Sequence, residues 1–100
     1  MPTRKLSFGN ARDLIAAGEP VVVDTASPFV YIGRLVAMTR EFVILADADA
    51  HDMADSPGSQ TKERYIRETK QFGVKENRRA VRVAREKVIA LTRLSDVLEV

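Results

Sequence analysis

The densest run of chemically able side chains is Asp47-Ala48-Asp49-Ala50-His51-Asp52. If Asp47 ends a strand, strand alternation puts Asp47, Asp49 and His51 on one side of the extended chain. Three such groups can bind a divalent cation, and mixed imidazole and carboxylate ligation suits zinc, manganese or iron. His51 is the single histidine and there is no cysteine, so a closed site needs further carboxylates, water or another subunit. The plainer reading is a polar loop whose Asp and Ser side chains cap turns and the helix that follows, and no metal or other cofactor is expected. Nucleophilic or hydrolytic catalysis has little to stand on. No serine sits in a nucleophile-elbow context, and Gly58 and Gly73 are isolated rather than part of a phosphate-binding loop. The chain is not expected to be an enzyme.

The strongest candidate for binding chemistry is basic. Residues 56–87 hold ten Lys and Arg against four Asp and Glu, whereas residues 1–55 hold five against eight. Segregated positive charge of this kind can seat an anionic partner such as RNA, whose phosphates supply the attraction. Within the block, Arg78, Arg79, Arg82, Arg85 and Lys87 are closely spaced. On a strand, Arg78, Ala80 and Arg82 fall on one side and Arg79 and Val81 on the other, so one face can present a basic row. Tyr65 is the aromatic best placed to stack on a base, its alternative role being to pack a helix onto the domain. A solvated Lys/Arg-rich surface, or a meeting of positive and negative faces between subunits, is the bland account of the same charges.

Those residues must be held by a small β-rich domain. One hundred residues, 45% apolar and 30% charged, are the size and composition of one globular unit. Asn10 can cap a short helix over 10–17, with Asp13 in its first turn, Gly18 at its end and Pro20 stopping it. Val21-Val22-Val23-Asp24 reads as a first strand. Tyr31 to Asp47 reads as two long strands joined at Thr39-Arg40-Glu41, rich in β-branched and aromatic residues. Gly33 inside the first of them marks a bend or a close backbone approach. The first three strands thus occupy 20–48, and 49–77 is a polar loop followed by a helix from about Ser59 to Phe72. Periodicity also allows that segment to extend a strand. The last two strands lie within 78–95, broken at Arg85-Glu86-Lys87. Short connections make the neighbours antiparallel, so a five-stranded bent sheet or partly open barrel is the natural closure.

The sequence Glu19-Pro-Val-Val-Val, then Tyr31-Ile-Gly33-Arg-Leu35 with Phe42-Val-Ile-Leu45, then Arg85-Glu-Lys-Val88-Ile-Ala-Leu after an insert, resembles the Sm-like family over roughly residues 10–95. The resemblance implies an all-β, five-stranded, SH3-like Sm-type barrel with an N-terminal α-helix and, here, a helical insert between strands three and four. It further implies rings of six or seven subunits through edge pairing of the fourth and fifth strands, and, in many members, RNA binding. Thr39 stands where the family usually has an Asp in the turn, Val43 where one branch has a base-contacting Asn, and Glu86 where a Gly follows the Arg matched by Arg85. The candidate RNA contacts are accordingly Arg85, Lys87, Arg78, Arg79, Arg82, Thr39, Arg40 and Tyr65.

The expectation is a cytoplasmic homo-oligomeric ring with RNA as a possible partner and no membrane association, since neither a signal-like h-region nor a spanning apolar run occurs. The alternative is an oligomeric protein-interaction scaffold without nucleic-acid binding.

Overall fold

The computed structural model describes residues 5–6, 15–55, 58 and 60–99. Two short strands, β1 (Lys5–Leu6) and β2 (Ile15–Ala16), pair antiparallel. Then follow β3 (Pro20–Thr25), β4 (Phe29–Met38), β5 (Phe42–Asp52), the helix α1 (Lys62–Phe72), β6 (Arg78–Ala84) and β7 (Val88–Arg93). The five long strands form one antiparallel sheet in the order β6-β5-β4-β3-β7. β6 and β7 are its two edges, so the sheet is open.

Three boundaries differ from the sequence-based expectation. Ile15 and Ala16 belong to a strand, not to the end of a helix over 10–17; residues 10–14 of that expected helix lie outside the described residues. The physical reason lies in the turn that follows. Gly18, at φ 90, donates its N–H to the carbonyl of Leu35 at 2.6 Å, and Leu35 returns its own N–H to Glu19 at 2.9 Å. The glycine thus serves a tight turn into β3 rather than a helix end, and Ile15 is left buried in the core. The third long strand also runs on to Asp52 instead of stopping near residue 48, because Asp49–Asp52 pair with Phe29–Ile32. The helix begins later than Ser59, at Lys62, where Thr61 supplies the N-cap by accepting from the Arg64 N–H at 3.1 Å.

Gly33 is required by close approach. A Cβ there would lie 2.6 Å from Cβ of Ala48 and 2.9 Å from its Cα. The squeeze arises at a β-bulge, where Ile32 faces Asp49 while Arg34 faces Ala46, so that β5 carries one extra residue. Asp47, at φ 49, is that residue's left-handed corner. A second irregularity, between Leu35 and Ala37, bends β4 again.

Both faces of the sheet are covered near its centre. Val21, Val23, Leu35, Val43, Leu45, Ala48 and Val83 form one buried cluster, to which Ile15 is added. Val22, Val30 and Ile32 pack with Tyr65 and Ile66 of α1 in a second. Adjacent strand residues point to opposite faces, so Val21-Val22-Val23 feeds both clusters and all three side chains are buried. An unbroken apolar triplet is what a strand covered on both sides needs.

Candidate functional site

Two regions carry exposed or buried groups with chemical potential. The first is the β6 edge. Arg78, Arg79 and Arg82 are exposed along it, and Arg85 and Lys87 are exposed in the turn of 3-10 helix (Arg85–Lys87) that leads to β7. Val81 and Val83 pack on the inner cluster, so Arg82 projects from the opposite face. Seven strand residues carry this row over on the order of 20 Å. Elsewhere several cations are paired with carboxylates. Arg34 is bound to Asp47, Lys62 to Asp24, Arg64 to Glu68, and Arg93 lies near Glu19 and Asp96. Among the described residues, no carboxylate pairs with Arg78, Arg79, Arg82, Arg85 or Lys87.

The structure brings Thr39, Arg40 and Arg85 to one end of the sheet. Thr39 Oγ1 accepts the N–H groups of Glu41 (3.2 Å) and Phe42 (2.9 Å), closing the β4–β5 turn, so this hydroxyl is spent on the backbone. Arg85 then clasps that turn. Its backbone N–H donates to Glu41 and its guanidinium donates to the Thr39 carbonyl, each at 2.9 Å. Arg40 at the tip is exposed. Arg78 lies at the far end of β6, opposite Ala48, so the candidate cations spread along an edge instead of converging on a point.

The second region is the space between β5 and α1. Strict alternation from Val43 and Leu45 would turn Asp47, Asp49 and His51 together into the inner core. The extra residue at Asp47 breaks that alternation. Ala48 takes the inner place, Asp49 and His51 face α1, and Asp47 is held at the bulge by Arg34, whose Nε lies 3.0 Å from Oδ2. The expected common side for the three residues is therefore not formed. No group of three or more His, Asp or Glu side chains among the described residues is arranged to hold a metal ion.

Asp49 is 6% exposed and well supplied with partners. Tyr65 donates its hydroxyl to Oδ2 at 2.5 Å, and Asn77 donates its side-chain amide to Oδ1 at 2.9 Å. Asn77 also pairs both ways with the backbone of Ala50, and its N–H reaches the carbonyl of Ala48. His51 stacks on Tyr65 with ring centroids 4.0 Å apart, its Nδ1 at 4.0 Å from Asp49. Burial, the hydrogen bond to Asp49 and that carboxylate's charge hold the Tyr65 phenol far above its ordinary range, against a smaller opposing contribution from Thr69. Tyr65, expected to be exposed, is 6% exposed; its ring packs the helix down and offers no face to a base.

Beside this cluster lies a cavity of about 250 Å³ whose lining includes Asp49, His51, Tyr65, Gln60, Glu68 and Lys75. Phe72, the last residue of α1, is 75% exposed at its margin. Sequence reasoning missed Asn77, Glu68, Phe72 and Lys75 as members of this site. The one signal for it was Asn77 itself, a short amide placed just before a strand, where such side chains habitually bond nearby backbone.

No protein-family model matches this chain, and no curated protein matches it. Among the described residues no helix is long and apolar enough to cross a membrane.

Proposed function

We propose that this protein is a ring-forming Sm-like protein that associates with RNA through the β6 edge and the turn after it. The observation that carries the reading is the concentration there of cations without acidic partners. Arg78, Arg79, Arg82, Arg85 and Lys87 are all exposed and free of carboxylate partners among the described residues, while Arg34, Lys62 and Arg64 elsewhere are ion-paired. Phosphate contacts of this sort need no base readout, and repetition around a ring multiplies a weak site. In this reading the sheet curls into a partly open SH3-like barrel, with α1 as a helical insert between its third and fourth strands. Two features favour such a curl. β7 returns beside β3, and Val81 of one edge and Val88 and Leu91 of the other pack on the same inner cluster. Both outer strands also carry an edge that pairs with no other described strand and can meet a second copy.

The oligomeric scaffold reading has its own support. Ile89 of β7 is 64% exposed, and Glu86 places a carboxylate between Arg85 and Lys87, where it opposes a phosphate.

Titration of labelled U-rich, A-rich and random RNA at low and moderate salt separates the two. RNA association predicts binding that weakens steeply with salt. An affinity no tighter than roughly tens of micromolar at low salt overturns it, since sequence-independent contacts are strongest there. Light scattering at several concentrations tests the ring, and a strict monomer refutes it.

A further inference from the structure

From the geometry between β5 and α1 we infer that the cavity over Asp49 is a pocket for a single nucleobase bearing an exocyclic amine. The inference rests on the RNA reading for the source of that base. At about 250 Å³ the space falls below the ~300–1,000 Å³ of sites for drug-sized ligands, and one planar heterocycle suits it. Its walls combine aromatic surface with hydrogen-bond acceptors. His51 lines it from β5, its ring already held flat against Tyr65. Phe72 lines it from the end of α1 and is left 75% exposed, although the helix has an apolar cluster on its buried side. An aromatic ring kept in water at the mouth of a cavity is what a stacking partner needs.

The acceptors choose the base. Glu68 receives hydrogen bonds from Gln60 and Arg64, each at 3.0 Å, which fixes its carboxylate at the cavity while leaving a second lone pair on each oxygen. Asp49 adds a second negative charge to the lining. Carboxylates accept from exocyclic amines such as that of cytosine and repel carbonyl-bearing edges, so cytosine and adenine fit better than uracil. Lys75, an exposed lining residue, supplies a cation for the attached phosphate.

The link to the basic edge is short. Asn77, pinned to Asp49, Ala48 and Ala50, stands between Lys75 and Arg78. Lys75 and Arg78 are therefore at most on the order of 10 Å apart along the chain. An RNA strand tracking the β6 cations can therefore leave one base in the cavity without a break in its phosphate contacts.

Calorimetric titration with CMP, AMP, UMP and ribose 5-phosphate tests the pocket on the intact protein. CMP and AMP are expected to bind roughly fivefold or more tightly than UMP and ribose 5-phosphate, Phe72→Ala to weaken CMP by a similar factor, and Glu68→Gln to erase the preference over UMP. Phe72 is exposed and Glu68 is partly exposed, so unchanged circular dichroism is expected to certify the fold of both variants. Equal affinity for all four compounds, no binding by any, or a Phe72→Ala variant that binds CMP like the parent overturns the inference. RNA binding without CMP binding sinks the pocket alone; CMP binding without RNA binding sinks the RNA reading and leaves the pocket standing.

Discussion

Replacing Tyr65 with Phe removes one oxygen and nothing else, which makes it the sharpest probe of how α1 is held. Tyr65 and Asp49 are each 6% exposed, and the hydroxyl donates to the carboxylate at 2.5 Å. A hydrogen bond to a charged acceptor contributes ~1.5–3 kcal/mol, and its loss leaves Asp49 Oδ2 without its nearest donor. For a domain of this length, a loss of about 2 kcal/mol lowers the Tm by roughly 8–16 °C. Urea titration followed by circular dichroism is expected to show the midpoint fall with the slope unchanged, since the surface exposed on unfolding is the same. A second signature separates this bond from generic packing. The Tyr65 phenol is held well above its ordinary value in the folded state. Its contribution is therefore complete below about pH 10 and declines above it, where the unfolded phenol ionises and the folded one does not, by about 1.4 kcal/mol per pH unit. The Phe variant lacks that group, so its alkaline decline is shallower by this amount, while Tyr31 and the lysines act equally in both proteins. A loss under about 0.5 kcal/mol at neutral pH, or parallel alkaline curves, refutes the reasoning.

Gly33→Ala forces a Cβ to within 2.6 Å of Cβ of Ala48 and 2.9 Å of its Cα; because backbone must shift, urea denaturation is expected to report a loss of ~1–3 kcal/mol or more. Lys62→Met removes a cation that binds Asp24 at 2.7 Å and the carbonyls of Thr25 and Ser27 at 3.1 and 2.9 Å. Hydrogen exchange should then show faster exchange in α1 than in β3, β4 and β5, and uniform acceleration counts against the helix opening as its own unit. Arg79→Ala with Arg82→Ala, at exposed edge positions, should leave thermal stability within about 0.5 kcal/mol. The same pair should flatten the salt dependence of RNA binding by up to ~0.7 in log–log slope for each phosphate that is no longer neutralised; an unchanged slope removes these residues from the interface.

Much of the sheet was readable because its local signals agreed. Val21-Val22-Val23, the Thr39 turn and the β-branched runs on either side each favour extended chain for their own reasons, and Gly33 announced the place where two strands crowd. The helix, too, was visible in its stop at Gly73, although its start was placed near Ser59 and lies at Lys62. What escaped reading was nonlocal. Gly18 has the same residue type whether it ends a helix or turns a chain back under Leu35, and only the partner carbonyl on β4 distinguishes the two. The bulge at Asp47 is likewise decided across strands: nothing near it in sequence states that Ile32 faces Asp49 while Arg34 faces Ala46. Tyr65 and Phe72 look equivalent by helical spacing, yet one is buried against His51 and the other exposed.

The bulge also explains why a strand can carry Asp-Ala-Asp-Ala-His. Continued alternation would send three ionisable side chains into an apolar inner core, where unpaired charge is costly. One extra residue reverses the parity. Ala48 drops into the tight place opposite Gly33, and Asp49 emerges on the side where α1 supplies Tyr65 and the β6 approach supplies Asn77. The helix gains as much as the strand. At eleven residues it is marginal alone, and few of its side chains are buried. Its position is set by directional bonds at three heights: Lys62 to the β3–β4 loop, Tyr65 to Asp49, and Lys70 to the carbonyls of Ser95 and Val97. Such a helix is placed sharply but held modestly. A cavity bounded by it and by β5 therefore has a defined shape at rest, while a ligand that stacks on Phe72 and bonds Glu68 acts directly on α1, whose buried apolar side chains are Tyr65 and Ile66.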